Sequence, residues 1–269
     1  MKYKVLAFDI DGTLTNSKKQ IEVSTKVAVR KAAEQGCTIA IATGRPIQGV
    51  REFANELNFH KIKGYVISLN GGLVMSWQDG KIIQEKKIPA EFNGRICDLA
   101  KEHGVTLLTY EGDDVITEKP EDEYVQFETR INKIKARKVE NLKEYLSFTV
   151  PKFIMVGDGD VLAEVEKKVK PLLDKDLDVY RSEPFFLEIL PKGINKANAL
   201  EMLLKEVGAK REELMAFGDG YNDISMIEYA GMGVAMSNGN DLIKEKADYV
   251  APSNDEGGIA HVLEKFVLD

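Results

Sequence analysis

Two groups of carboxylates in this chain could do chemistry. Asp9 directly follows the apolar run 5–8 in VLAFDIDGT and one residue separates it from Asp11, and Asp219 and Asp223 occur in GDGYND. Carboxylates crowded into one site repel one another unless a cation holds them. Their oxygens suit Mg²⁺, which usually also keeps waters and a substrate phosphate. The four residues therefore predict a Mg²⁺ site, although DIDGT could also be only a turn after a strand.

A carboxylate at the end of a strand can also attack phosphorus and form an aspartyl-phosphate. Hydrolysis then needs a group that protonates the leaving oxygen and later activates water. Asp9 and Asp11 can divide these tasks, because Asp11 lies just past the strand end on a turn that contains glycine. Mg²⁺ would neutralise the charge between the nucleophile and the phosphate.

Phosphoryl transfer also needs hydrogen-bond donors around the phosphate oxygens. Thr43 and the backbone N–H of Gly44 precede a helix that is predicted to start near Pro46, and a helix N-terminus attracts anions. Lys196 begins another predicted helix, and its ammonium could pair with the phosphate as a point charge. Asn222 could add an amide donor.

A parallel sheet would position these residues. Short apolar runs without alternation, typical of buried parallel strands, alternate with amphipathic stretches. Strands are predicted at 4–8, 38–44, 65–72 and 214–219, and helices at 24–36, with Ser24 as the N-cap, and at 46–58. Ligands bind beyond the carboxyl ends of the strands in such sheets, and Asp9, Thr43 and Asp219 each lie at the end of a predicted strand.

The alternation of apolar strands with amphipathic helices stops near residue 83 and resumes near residue 190. Between them, a helix followed by two adjacent strands occurs twice, which is typical of an α+β module with an antiparallel sheet. We therefore expect an α/β protein: a Rossmann-like parallel-sheet core domain at 1–83 and 190–269, with an inserted α+β cap domain at 84–189. The charged stretch 118–140 is predicted to be a solvated loop-and-helix region, and GDGD at 157–160 a strand-to-helix turn.

The composition excludes several classes of protein. A net charge of -7 argues against non-specific binding to nucleic acid or to an anionic membrane. The two cysteines, Cys37 and Cys97, cannot form a disulfide scaffold, and three scattered histidines do not suggest a zinc site. No signal region and no apolar run of about 18 residues is seen, so a cytoplasmic protein is expected. Protein partners cannot be read from the sequence.

Four motifs resemble those of the haloacid dehalogenase superfamily of phosphotransferases. DIDGT (9–13) is similar to its first motif, Thr43 in ATGR to the second, Lys196 to the third and GDGYND (218–223) to the fourth. The insertion between the second and third motifs resembles the α/β (C2-type) cap of the Cof-type subfamily. SLNGG (68–72) and PKGINKANAL (191–200) are also similar to that subfamily.

The resemblance implies a role for each carboxylate. Asp9 is implied to be the nucleophile and a Mg²⁺ ligand. Asp11 is implied to be the acid/base, with its backbone carbonyl as a Mg²⁺ ligand. Asp219 is implied to be a further Mg²⁺ ligand, and Asp223 to support the metal.

Seven residues are implied to bind the phosphate or the substrate: Ile10, Thr43, Gly44, Arg45, Asn70, Lys196 and Asn222. Ile10 and Gly44 would act through their backbones. Arg45 and Asn70 are implied to face the cap, and Asn222 to contact phosphate or order its loop.

The expected function is that of a Mg²⁺-dependent phosphatase acting on small phosphorylated metabolites, with sugar phosphates as the expected class. The cap would close over the substrate and select the leaving group. A phosphomutase is one alternative, because phosphomannomutases resemble this chain in DxDGTLT and in having a comparable cap. A mutase needs an arginine cluster for a second phosphate, whereas Arg95, Arg130, Arg137 and Arg181 are dispersed in the sequence. A non-catalytic phosphometabolite sensor is the other alternative, although every catalytic position is filled.

Overall fold

The computed structural model describes residues 2–268. The chain divides into two compact units, of which the first comprises the chain up to Glu85 and again from Asn195 onward. The second unit, Lys86–Ile194, is an insertion into the first. The boundaries expected from the sequence are near 83 and 190, and the use of the inserted unit as a cap stays a prediction.

The first segment of the chain forms five strands and two helices: β1 (Val5–Phe8), α1 (Val23–Glu34), β2 (Thr38–Ala42), α2 (Arg51–Glu56), β3 (Gly64–Ser68), β4 (Leu73–Ser76) and β5 (Ile82–Glu85). The prediction that Ser24 is the N-cap of α1 was wrong. The extended backbone ends at Glu22, which is the N-cap, and no side chain caps this helix. The helix expected at 46–58 is present but starts differently, because a 3₁₀ turn at Ile47–Val50 precedes the regular helix α2.

The inserted segment forms four helices and six strands: α3 (Asn93–Glu102), β6 (Thr106–Glu111), β7 (Asp114–Thr117), α4 (Glu123–Asn132), β8 (Lys135–Lys138), α5 (Leu142–Tyr145), β9 (Phe153–Val156), α6 (Gly159–Leu173), β10 (Leu177–Glu183) and β11 (Phe186–Pro191). The region 118–140 contains not only the expected helix but also β8, which was missed. This strand lies at the edge of its sheet, where lysines discourage further pairing, so it lacks an apolar pattern. The GDGD turn was predicted correctly, because Asp158 caps α6.

The last segment returns to the first unit with four helices and three strands: α7 (Lys196–Val207), β12 (Leu214–Gly218), α8 (Ile224–Tyr229), β13 (Met232–Met236), α9 (Asp241–Lys246), β14 (Tyr249–Ala251) and α10 (Gly258–Phe266). A 3₁₀ turn at Tyr221–Asp223 joins β12 to α8.

The sheet of the first unit has eight strands in the order β14-β13-β12-β1-β2-β3-β4-β5. The strands from β14 to β3 are parallel, whereas β4 and β5 are antiparallel. Every residue of β1 is buried. Phe8 stacks on Phe217 in a cluster that includes residues of α1 and α10, whereas Val5 belongs to a cluster with residues of α7 and α8. Covering both faces explains the continuous apolar strands and confirms the predicted parallel-sheet core.

The second unit has a six-stranded sheet in the order β10-β11-β9-β6-β7-β8. All its pairs are antiparallel except β7 with β8. Apolar residues of α3 and α6 pack with one set of strand residues, and Val125 of α4 packs with another. This second sheet confirms the predicted α+β insertion. In neither unit does a described helix combine the length and the apolar character that crossing a membrane requires.

Candidate active site

Three adjacent parallel strands bring the predicted site residues to one edge of the sheet. β1 lies between β12 and β2, with Phe8 in register with Phe217 and Ile41. The residues that follow these strands therefore begin at the same level. Asp9 comes directly after β1, Thr43 directly after β2 and Asp219 directly after β12.

Lys196 connects two of the carboxylates. It is the first residue of α7, its side chain is fully buried, and Asn195 caps this helix through its side chain. Its Nζ lies 2.6 Å from Asp9 Oδ1 and 2.5 Å from Asp223 Oδ1. Burial alone would lower the pKa of Lys196, but the charges of Asp223 and Asp9 outweigh it and raise that pKa. The side chain is therefore a buried ammonium held by two acids.

Asp9, Asp219 and Asp223 form a cluster in which one oxygen from each lies within 4.8 Å of the others. Burial, followed by the nearby Asp223 charge, raises the pKa of Asp9 well above its usual value, although Lys196 opposes this. Burial is also the main cause that raises the pKa of Asp219 to about 6. The cluster thus concentrates negative charge that one lysine offsets only in part, which is the electrostatic condition for binding a cation.

The hydrogen bonds of the cluster show which oxygens a cation could take. Asp223 Oδ1 accepts from Lys196, and its Oδ2 accepts from the backbone N–H groups of Asp219 and Gly220. Asp219 Oδ1 accepts from the Thr13 hydroxyl at 2.7 Å. Among the hydrogen bonds of residues 2–268, none reaches Oδ2 of Asp9 or Oδ2 of Asp219. Two hard oxygens therefore remain for a divalent cation, and the residues fit one.

Gly12 packs directly against this opening. Its φ is +80°, a conformation that residues with a Cβ rarely adopt, and a Cβ built on it would lie 2.3 Å from Asp219 Oδ2. The glycine thus leaves space for the free oxygen of Asp219. The backbone oxygens beside it are held as well, since Asn238 Nδ2 donates to Gly12 O and Asn240 Nδ2 donates to Asp219 O.

The Asp11 side chain lies outside the cluster and contacts two cations. Arg45 donates from Nε to Asp11 Oδ2 at 2.7 Å and from Nη2 to Oδ1 at 2.8 Å. Lys19 Nζ donates to the same Oδ1 at 2.8 Å. Burial acts to raise the pKa of Asp11, but the hydrogen bonds and charges of Arg45 and Lys19 prevail and lower it to about 2. Asp11 is therefore a carboxylate in this arrangement.

Thr43, Asn70 and Asn222 form a second group of neighbours. Thr43 is buried, and its carbonyl accepts from the backbone N–H of Asn70 at 2.9 Å. Asn70 has a φ of 56°, and its Oδ1 accepts from Asn222 Nδ2 at 3.2 Å. Gly44 lies beside this amide, because a Cβ built on it would be 3.2 Å from Asn70 Oδ1. The buried Ile10 accepts from the Thr15 hydroxyl through its carbonyl.

The structure adds residues that the sequence did not single out. Thr13 belongs to the DIDGT motif, but its bond to Asp219 spans 206 positions of sequence and could not be read locally. Lys19 carried no signal in the sequence. The helix expected after Gly44 begins with the 3₁₀ turn Ile47–Val50, and the binding of an anion at Thr43 and Gly44 stays a prediction.

Comparison with known proteins identifies the family to which this chain belongs. Residues 6–263 match the model of the haloacid dehalogenase-like hydrolase family. The chain is 31% identical over 98% of its length to the 5-amino-6-(5-phospho-D-ribitylamino)uracil phosphatase YcsE of Bacillus subtilis, of which it covers 96%. A haloacid dehalogenase-like hydrolase from Bacteroides thetaiotaomicron superposes with a TM-score of 0.94 at 40% identity, covering 98% of this chain and 99% of that one.

A second solved structure is the sugar phosphatase BT4131 of haloacid dehalogenase subclass IIB. It superposes with a TM-score of 0.84 at 30% identity, and 98% of each chain is covered. The resemblance predicted from the four motifs is thereby confirmed. The chain belongs to the haloacid dehalogenase-like hydrolase family and is one of its phosphatases.

Proposed function

We propose that this phosphatase is Mg²⁺-dependent and hydrolyses small phosphorylated metabolites through an aspartyl-phosphate on Asp9. The observation that carries the proposal is the buried Lys196, which holds Asp9 Oδ1 while Oδ2 of Asp9 and of Asp219 accept no hydrogen bond from the described residues. A held nucleophile, a buried positive charge and two cation-accepting oxygens are what an in-line phosphoryl transfer requires.

Asp9 and Asp219 would hold the metal through their Oδ2 atoms, together with the backbone carbonyl of Asp11. Asp223 has both oxygens committed, so its role is to orient Lys196 and the loop after β12. When bound, the cation supplies positive charge that lessens the repulsion between the nucleophile and the phosphate. Among divalent cations, Mg²⁺ suits this set better than Ca²⁺, because Mg²⁺ is usually bound through one or two carboxylates together with waters and a substrate phosphate.

In the first step, an Asp9 oxygen attacks the phosphorus and the bond from phosphorus to the leaving oxygen breaks. Asp11, in its protonated form, gives its proton to that oxygen, and the alcohol leaves. Thr43, Lys196 and the backbone N–H groups of Ile10 and Gly44 are proposed to bind the transferred phosphoryl oxygens. The products are the alcohol, the Asp9 acyl phosphate and the Asp11 carboxylate.

In the second step, the Asp11 carboxylate takes a proton from water and the resulting hydroxide attacks the phosphorus. The bond from Asp9 to phosphorus breaks, which releases inorganic phosphate and restores the Asp9 carboxylate. Arg45 and Lys19 lower the pKa of Asp11 and so favour the carboxylate form with which this step begins. The proton that Asp11 gains here is the one that it gives in the next first step.

Sugar phosphates are the proposed substrate class. One neighbour is a sugar phosphatase, and the name of one relative specifies a phosphate on a ribityl chain. A phosphate ester on a polyhydroxylated carbon chain is common to both. We assign the selection of the leaving group to the inserted unit, with Arg45, Asn70 and Asn222 as contacts in the first unit.

The test is phosphate release from a panel of sugar phosphates, nucleotides and pyridoxal phosphate, with Mg²⁺ and with EDTA. Mass spectrometry of the acid-quenched wild type should detect a phosphoryl adduct, and Asp9→Asn should abolish both this adduct and phosphate release. Asp241→Asn is the matched control, because Asp241 is a fully exposed acid on α9. Release by Asp9→Asn at the wild-type rate would overturn the proposal.

The phosphomutase alternative loses support in the second unit. A second phosphate would need free arginines. Of the four candidates, Arg137 is paired with Glu111 and lies near Asp114, and Arg181 is paired with Glu166 at 3.0 Å, which leaves Arg95 and Arg130 without an ion pair among the described residues. Sugar isomerisation stimulated by a sugar bisphosphate would restore that alternative.

A further inference from the structure

We propose that Lys19 is a positioning residue for Asp11, an inference that rests on the proposed acid/base role of Asp11. Its Nζ donates to Asp11 Oδ1 at 2.8 Å, although the Lys19 side chain is 62% exposed. An exposed ion pair by itself contributes little. Three features of the surrounding chain distinguish this one from an ordinary surface contact.

The first feature is the backbone of the turn. Lys19 has a φ of 59°, in the left-handed region where glycine or asparagine is usual and a lysine is unfavourable. Asn16 fixes the turn, because its Oδ1 accepts from the backbone N–H groups of Lys18 and Gln20 at 3.0 Å each. Asn16 is buried, and its Nδ2 donates to Glu22. The strained conformation at Lys19 is therefore enforced by its surroundings, which is common at functional sites.

The second feature is the anchoring of the loop that leads from Asp11 to Lys19. Asn254 Nδ2 donates to Thr15 O at 2.8 Å, and the backbone N–H of Ser17 donates to Asp255 Oδ1 at 2.7 Å. The loop is thus attached to the segment that follows β14. A fixed loop delivers the Lys19 ammonium to Asp11 at a smaller entropic cost than a free surface side chain would require.

The third feature is the distribution of hydrogen bonds on the carboxylate. Asp11 Oδ1 accepts from both Arg45 and Lys19, whereas Oδ2 accepts only from Arg45 among the described residues. Each carboxylate oxygen has capacity for about two such bonds. Lys19 therefore saturates Oδ1 and leaves Oδ2 as the oxygen with room to exchange a proton with the leaving group or with water. Without Lys19, each oxygen would accept one hydrogen bond from Arg45, and the difference between Oδ1 and Oδ2 would be lost.

The test compares an ester that needs a proton donor with one that does not. The values of kcat/KM are measured for glycerol phosphate, which has a poor leaving group, and for p-nitrophenyl phosphate, which has a good one. Lys19→Gly should lower the value for glycerol phosphate about tenfold and leave that for p-nitrophenyl phosphate within about threefold of wild type. Lys19→Arg should keep most of the wild-type activity on glycerol phosphate, because its side chain also carries a positive charge.

Glycine is chosen because it accepts the positive φ, so Lys19→Gly should be at least as stable to heat as wild type. Lys18→Gly is the matched control at the exposed neighbouring lysine and should change neither rate. Unchanged rates in Lys19→Gly, or equal losses on both esters, would overturn the positioning role while leaving the phosphatase proposal intact. If the wild type released no phosphate from either ester and none from any member of the panel, the proposed function itself would be overturned, and this inference with it.

Discussion

Lys196 Nζ lies 2.6 Å from Asp9 Oδ1 although both residues are buried. The same ammonium reaches Asp223, so one cation serves two acids. Removing a buried charge from its partners costs more than the pair itself contributes, since the remaining charges keep their desolvation penalty. The lysine therefore stabilises this edge of the sheet, and in the proposed mechanism it also fixes the attacking oxygen.

Replacing the ammonium should weaken the fold in a pH-dependent manner. Lys196→Met is expected to lower the free energy of unfolding by about 3 kcal/mol at pH 7, because Asp9 and Asp223 are left buried without a counter-charge. The loss should be smaller at pH 5, where Asp9, whose pKa burial already raises, can become neutral by binding a proton. Urea unfolding of the wild type and the variant at pH 7 and pH 5 measures the change in the free energy of unfolding.

Lys205→Met on the same helix is the control for this substitution. Lys205 is exposed and pairs with Glu201 one turn away, so its loss should cost no more than about 0.5 kcal/mol. An equal cost for the two variants, or no pH dependence for Lys196→Met, would argue against the buried ion pair.

The pKa of Asp219 makes the metal-free protein sensitive to pH. Burial raises this pKa from 3.8 to about 6, so between these values the folded state binds more protons than the unfolded state. The free energy of unfolding should therefore fall as pH rises from about 4 to 6, by at most about 3 kcal/mol from this group. A divalent cation needs the deprotonated carboxylate and should reverse the loss. Thermal unfolding in EDTA and in Mg²⁺, at pH 5 and pH 7.5, tests both parts.

We expect Mg²⁺ to raise the melting temperature more at pH 7.5 than at pH 5. In Asp219→Asn, which has no proton to release at this position, the difference between the two pH values should shrink. An increase of equal size at both pH values in the wild type would contradict the assignment of Asp219 to the metal.

The sequence predicts the part of the site that is formed by residues at the ends of strands. Asp9, Thr43 and Asp219 each follow a short, fully apolar run, and parallel strands bring such ends to one edge. Lys196 was indicated by its place at the start of a predicted helix, whereas the role of Asn70 came from the motif resemblance alone, because nothing in its local pattern distinguishes it from other polar residues.

The features that the sequence did not predict depend on backbone conformation that local residue patterns do not encode. The approach of Lys19 to Asp11 needs a left-handed turn at a lysine, which residue preferences disfavour. The 3₁₀ turn that replaces the expected helix start at Ile47 differs from a helix only in backbone detail. β8 was missed because a charged edge strand has no alternating apolar pattern.

Arg45 should control the acid sensitivity that arises at Asp11. The pKa of Asp11, lowered to about 2, contributes stability that is present above about pH 4 and lost as pH falls towards 2. Arg45→Gln should lower the free energy of unfolding at pH 7 by about 1 kcal/mol, a value reduced because the Asp11 side chain is 39% exposed and screened by water. Near pH 2 the variant and the wild type should converge in urea unfolding.

Arg30→Gln is the comparison, since Arg30 is exposed and its nearest acid, Glu34, is 3.8 Å away. It should leave the stability unchanged at both pH values. A constant loss for Arg45→Gln from pH 7 to pH 2 would mean that Arg45 stabilises the fold by packing on Phe53 and not through the Asp11 charge.

Gly12 should determine how well the metal binds. In Gly12→Ala, the new Cβ would lie 2.3 Å from Asp219 Oδ2, so the carboxylate must move from the position in which it can take a cation. The φ of +80° adds backbone strain of about 1 kcal/mol. We expect phosphatase activity to fall at least about a hundredfold at fixed Mg²⁺ and the Mg²⁺ concentration for half-maximal activity to rise.

Gly80→Ala separates the two effects. Gly80 has a φ of +71°, but a Cβ there would meet nothing within 4 Å, so the variant carries the backbone strain without a clash. It should lose a similar amount of stability in urea unfolding while keeping wild-type activity and Mg²⁺ dependence. If Gly12→Ala kept the wild-type Mg²⁺ dependence, the space beside Asp219 Oδ2 would have no part in cation binding. The metal would then have to be held by other oxygens of the cluster.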